Sequence, residues 1–130
     1  MRVIVYNCII RVKVLPPITK GEYTMKKLTL NAWGADHTIV LDTAEYTNGR
    51  LAVEMLEVVD SWVEPWSMLT VNVPDTELSD KNCAFIDTNN NGNDIVFWLM
   101  ENGLGSPTAR WAYSGFCSYP EFRFNMELLE

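Results

Sequence analysis

Asp87-Thr88-Asn89-Asn90-Asn91-Gly92 is the segment of this chain whose residue types and spacing come closest to a chemical site. Oxygen donors at alternate positions followed by glycine make the first half of a calcium-binding EF-hand loop, where carboxylate and carboxamide oxygens replace the ion's water and the glycine allows a sharp turn. The second half is missing. The twelfth position, which must supply a bidentate carboxylate, is Trp98, and Glu101 lies three residues further on. The motif also needs a preceding helix, whereas Cys83 to Ile86 has the composition of a strand. An Asx-rich turn that satisfies backbone donors and caps a following helix accounts for the same residues. Asp87, Asn89 and Asn91 therefore stand as weak metal candidates, and no cofactor is expected.

Histidine chemistry rests on His37 alone, in a turn ahead of a strand with no nucleophile at a recognisable spacing. Triads assemble in space, so spacing alone does not exclude one. Walker, nucleophile-elbow and dinucleotide-binding patterns do not occur in the sequence. The expectation is a protein that is not an enzyme.

Aromatic residues in connections point instead to a partner. Asp60-Ser61-Trp62-Val63-Glu64-Pro65-Trp66 holds two tryptophans beside acids, and Arg110-Trp111-Ala112-Tyr113 follows in a glycine-flanked stretch. Exposed tryptophan and tyrosine supply much of the energy of protein interfaces. Asp60, Trp62, Glu64, Trp66, Arg110, Trp111 and Tyr113 are the partner-binding candidates. The competing account is that the rings cover a sheet end and that Arg110 pairs with a local carboxylate.

Charge bounds the partner. Seventeen acids against ten bases give a net charge of −7, which argues against direct binding of nucleic acid or anionic lipid and is compatible with a basic protein. At 130 residues, 48% of them hydrophobic, the chain is expected to bury a core without metals or disulfides. Cys8, Cys83 and Cys117 are an odd count without CxxC spacing, which indicates neither a disulfide framework nor a zinc site and fits a reducing cytoplasm.

The first 24 residues differ in sign. Arg2, Arg11, Lys13 and Lys20 against Glu22 give +3, leaving residues 25–130 at −10. The apolar runs are too short to span a bilayer, and no small-residue cleavage site follows them. Lys20-Gly21-Glu22 can be encoded AAA GGA GAA, a purine run resembling a bacterial ribosome-binding site at suitable spacing before Met25-Lys26-Lys27. Residues 1–24 are accordingly expected to be translated upstream sequence or a short extension, and residues 25–130 a single acidic domain. The alternative is a genuine N-terminal β-hairpin from Val3-Ile4-Val5-Tyr6 and Ile9-Ile10-Arg11-Val12-Lys13-Val14.

The positioning elements follow from pattern. Lys27 to Trp33 alternates as a half-buried strand, Gly34-Ala35-Asp36 turns, and Thr38 to Thr43 is a second strand. Asn48-Gly49 predicts a two-residue hairpin turn with positive φ at both positions, and Arg50 to Val59 returns. Ser67 to Val73 is the clearest strand and stops at Pro74. Ile95, Trp98 and Leu99 at helical spacing, with Asn91 or Asn93 as cap and Gly103 as stop, predict a helix over about 93–102. Ser114 to Phe124 is strand broken by Pro120. Together these predict an α+β fold: a mostly antiparallel twisted sheet of five or six strands with one main helix on one face.

Five sequence words resemble a small family of uncharacterised domains carried by bacterial plasmids, integrative elements and prophages. They are Asn48-Gly49-Arg50-Leu51-Ala52, Leu69-Thr70-Val71-Asn72-Val73, Cys83 to Asn90, Glu101-Asn102-Gly103-Leu104-Gly105 with Pro107-Thr108, and Ser114-Gly115-Phe116-Cys117-Ser118-Tyr119-Pro120. The resemblance covers Met25 onward. It implies Thr-Gly-Arg where this chain has Thr108-Ala109-Arg110, which puts a glycine-dependent turn in doubt. It brings no activity, but it implies the company of antirestriction and other anti-defence genes. The resulting expectation is a cytoplasmic, non-enzymatic protein that binds a basic nucleic-acid-handling enzyme, without direct contact to nucleic acid or membrane. The alternative is a metal- or ligand-dependent enzyme or sensor built on the Asp87–Asn91 loop with His37.

Overall fold

A computed structural model describes residues 26–129, together with the backbone of two short strands before them, β1 (Val3–Val5) and β2 (Cys8–Ile9). Four consecutive strands, β3 (Leu28–Ala32), β4 (Ala35–Tyr46), β5 (Leu51–Val59) and β6 (Trp62–Met68), form an antiparallel meander. At the far end of β4, β1 adds in parallel, with Val3 opposite Glu45, and β2 pairs antiparallel to β1. Apart from these strands, the segment expected to be upstream sequence lies outside the described residues.

A second antiparallel sheet has the order β7 (Thr70–Val71), β8 (Cys83–Ile86), β10 (Cys117–Phe124), β9 (Gly105–Ser114). Leu69 is the crossover between the sheets. Its N–H donates to the Val53 carbonyl of the first sheet at 3.0 Å, and its own carbonyl accepts from Asp87 N–H beside the second at 2.8 Å. The fully buried Thr70 reinforces the junction. Its Oγ1 accepts from Val53 N–H at 3.0 Å and lies 3.0 Å from the Tyr46 hydroxyl. Burial pushes that phenol up to about 12.

One core joins the two sheets. Ile39, Leu41, Val53 and Met55 from the first meet Ala84, Ile86, Phe122 and Phe124 from the second. The alternation of β5 explains why it carries apolar residues on both faces. Val53 and Met55 enter this core, while Leu56 joins Val40 and Val63 in a smaller cluster on the opposite face.

Two helices follow β8, namely α1 (Thr88–Asn91) and α2 (Asp94–Glu101). Ile95 and Leu99, one turn apart, place α2 on the shared core. Its end is set by Gly103 at φ 72, after which Leu104 N–H bonds back to the Leu99 carbonyl at 3.0 Å.

The expected α+β arrangement, one sheet with a helix on one face, is corrected. The chain forms two mainly antiparallel sheets around a common core, with little helix. Two local features hid this. Ser67 to Val73 looks like one strand but changes sheets at Leu69. Gly105 to Ser114, broken up by Gly105, Ser106 and Pro107, looks like a loop but forms the edge strand β9, where a proline's missing donor does no harm. The Asn48-Gly49 turn also differs in detail. Only Gly49 has positive φ, and the turn closes from Tyr46 to Gly49.

Candidate functional site

A two-residue turn begins the site. Ala32 pairs with Ala35, leaving Trp33 and Gly34 as the connection between β3 and β4, at φ 52 and 77. Positive φ at both positions suits the twist of the strands, but for a tryptophan it costs about 1 kcal/mol that glycine would not incur. The Trp33 side chain is 88% exposed. Its ring is held by Trp66, 5.2 Å away at 38°, and by the edge of His37 at 6.2 Å.

Trp66 reaches this position through a bulge. Met55 pairs with Ser67 and Leu56 with Pro65, so Trp66 is the extra residue of β6. Bulges re-aim a side chain in this way. His37 packs against Trp66 at 4.7 Å. Its Nδ1 meets Glu57 Oε2 at 2.6 Å and its Nε2 meets the Ala32 carbonyl at 3.2 Å. The hydrogen bond to Glu57 raises the His37 pKa above its ordinary value, against the opposing effect of desolvation.

Opposite this aromatic wall stand α1 and α2, and a cleft of about 860 Å³ lies between. Trp98 on α2 donates its indole N–H to the Thr29 carbonyl of β3 at 2.7 Å, which ties the two sides together. Phe97, 62% exposed, adds a second aromatic surface. Among the described residues, the charged ones lining the cleft are Asp94 and Glu101, both acidic.

The half calcium motif lies at the base of the cleft. Asp87 is buried, its Oδ1 accepts from Asn90 N–H at 3.1 Å and its Oδ2 from Asn90 Nδ2 at 2.8 Å. Asn91 Nδ2 donates to the Met68 and Asp87 carbonyls, and its Oδ1 accepts from Ser67 Oγ at 2.8 Å. Asn89 is exposed. These side chains fasten α1 to β6, one helix earlier than the cap expected near Asn93. Asn93 makes no side-chain cap bond. Among the described residues, no group of three or more His, Cys, Asp or Glu is placed to hold a metal ion.

The structure distributes the sequence candidates over four places. Trp66 joins the cleft with Asn91. Asp60, at φ 55 in the β5–β6 turn, and the exposed Trp62 and Glu64 lie on that hairpin. Trp111 and Tyr113 share the exposed face of β9, on either side of the buried Ala112.

Arg110 belongs to a buried-carboxylate cluster. Its Nη1 lies 3.1 Å from Glu121 Oε2, and Glu121, 0% exposed, also accepts from Ser79 N–H at 2.8 Å, Ser79 Oγ at 2.6 Å and Thr108 Oγ1 at 2.5 Å. Burial raises the Glu121 pKa, but the bonds from Ser79 and Thr108 and the Arg110 charge outweigh it and hold the carboxyl below its ordinary value. The cluster depends on a bulge. Pro120 pairs with Trp111 but Phe122 pairs with Pro107, so Thr108-Ala109-Arg110 loops out of β9. Ala109 turns that loop at φ 72.

Cys83 is buried and its thiol donates to Asp80 Oδ1 at 3.4 Å. Burial and that bond push it up to about 11, which leaves little thiolate for chemistry.

Sequence reasoning missed Trp33 and Phe97 as site residues. A tryptophan directly before the turn glycine was the available signal for the first. For the second, the indication was a large apolar residue off the Ile95–Leu99 face.

A family model described as Domain of unknown function (DUF4313) matches residues 40–130. The chain belongs to that family. No curated protein and no solved structure matches it. The DUF4313 match begins within β4, so it takes in Trp66, α1 and α2, whereas Trp33 and His37 precede it. It also covers less of the chain than the resemblance from Met25 onward. Among the described residues, no helix is long and apolar enough to cross a membrane.

Proposed function

We propose that this DUF4313 domain is a non-enzymatic accessory protein of a bacterial mobile element, and that it binds a basic protein partner. Trp33 carries the reading. It is an almost fully exposed tryptophan, kept at a positive φ that disfavours it, at the mouth of a cleft whose charged lining among the described residues is Asp94 and Glu101. Backbone strain of that kind persists where the surrounding structure over-determines it and clusters at functional sites, and tryptophan is among the residues enriched at interface hot spots. The net −10 of residues 25–130 favours a basic partner over nucleic acid or an anionic membrane.

The partner class proposed is a nucleic-acid-handling enzyme of host defence, a CRISPR or restriction effector, occupied by an acidic surface in place of its nucleic acid. The resemblance to domains of plasmids and prophages supports this choice. The test is a panel of purified effectors, assayed for DNA cleavage with and without the purified chain. Stoichiometric inhibition with co-elution from a sizing column supports the proposal, and absence of both across the panel removes it.

A further inference from the structure

We propose that the cleft between the Trp33 turn and α2 is a recognition site for an arginine-bearing segment of a basic polypeptide, with the guanidinium stacked on Trp33. This rests on the reading above and adds the ligand chemistry and the place where it binds. Four observations lead to it.

The first is shape and size: at about 860 Å³ the cleft is far larger than one side chain and suits several residues of an extended chain. The second is its walls, with Trp33 and Trp66 on one side and Phe97 and Trp98 on the other. Aromatic faces attract cations through their quadrupole, tryptophan most strongly, and the planar guanidinium stacks as well as attracts.

The third is charge. Asp94 at the start of α2 and Glu101 at its end are exposed and line the cleft, and among the described residues no lysine or arginine lines it. A carboxylate accepts two parallel N–H bonds from a guanidinium, a geometry a lysine ammonium does not offer. The fourth is rigidity. Trp66 is placed by its bulge, Trp98 is bonded to Thr29, and Asn91 is committed to Met68 and Ser67. Both walls are therefore positioned before any ligand arrives, which reduces the ordering cost of binding.

The test uses the full chain and short blocked peptides in which glycine alternates with arginine, with matched lysine, alanine and glutamate versions. Tryptophan fluorescence and backbone amide shifts report binding. The expected result is saturable binding of the arginine peptide, several-fold tighter than the lysine peptide and weakened by salt, with amide shifts confined to residues 31–33, 66–67 and 90–101.

Trp33→Ala should weaken binding roughly five- to tenfold. Because Trp33 is exposed, that variant keeps its fold, and Glu101→Gln provides a second one that removes charge without removing an aromatic wall. No saturable response, an undiminished response in both variants, or tighter binding of the glutamate or alanine peptide overturns the inference. A defence effector that binds the chain equally well after both substitutions overturns the cleft and leaves the protein-binding reading standing. Peptide binding without any effector binding does the reverse.

Discussion

His37 Nδ1 lies 2.6 Å from Glu57 Oε2, while the other ring nitrogen faces the Ala32 carbonyl at 3.2 Å. Both partners are acceptors, so both bonds form only when the ring carries two protons. The imidazolium is thus the form the fold selects, and it packs against Trp66, the ring that also holds Trp33.

The hydrogen bond to Glu57 raises the His37 pKa above the unfolded value of about 6.5. A raised pKa stabilises the fold fully below the unfolded value, and that contribution is lost as pH rises through the folded one. Urea midpoints should therefore fall between about pH 6.5 and the folded pKa, and Glu57→Gln should flatten the profile over that window. A ring-proton titration of His37 at or below 6.5 would remove the account.

Ala109 stands at φ 72 in the β9 bulge. The left-handed region costs a residue with a Cβ about 1–2 kcal/mol, part of which the greater freedom of unfolded glycine offsets. Ala109→Gly should stabilise the domain by about 0.5–1 kcal/mol, read as a higher urea midpoint with unchanged slope. Ala109→Val should move the midpoint the other way. The Thr-Gly-Arg wording implied by the resemblance has the same physical basis, since this turn favours a residue without a side chain.

Legibility from sequence followed the range of the interactions. The Leu28–Ala32 alternation, the Asn48-Gly49 turn and the Ile95–Leu99 spacing are local signals, and each element lies where its own residues put it. The sheet change at Leu69 is set by Val53 and Asp87, each at least sixteen residues away, and no pattern within Ser67 to Val73 records it. The cleft is the same kind of problem. Its walls come from a turn near residue 33, a bulge at 66 and a helix at 94–101, so a search for clustered motifs finds Asp87–Asn91 and passes over Trp33.

Glu121 couples the β9 bulge to the loop that contains Ser79. Its lowered pKa adds stability that is present above the unfolded carboxyl value of about 4.3 and is lost as pH falls through the folded one. Glu121→Gln keeps the shape but leaves the Arg110 guanidinium unneutralised. Because Arg110 is partly exposed, a cost of about 2 kcal/mol is expected rather than that of a sealed ion pair. The variant should also lose the acid-side slope between the folded Glu121 value and about pH 4.3. An unchanged acid transition would show that the carboxylate is not the group that titrates.

Thr70 Oγ1 serves two buried groups at the sheet junction, the Val53 N–H and the Tyr46 hydroxyl, each at 3.0 Å. Valine has nearly the same shape and neither acceptor nor donor. Thr70→Val should therefore leave packing intact and strand both groups, at about 2 kcal/mol. If orphaned polar groups are the cause, Tyr46→Phe should cost less in the Thr70→Val background than in the parent, because one of the stranded groups is then removed. A double-mutant cycle from urea unfolding measures this coupling directly. Additive losses would mean that the Tyr46–Thr70 hydroxyl pair contributes nothing to holding the two sheets together.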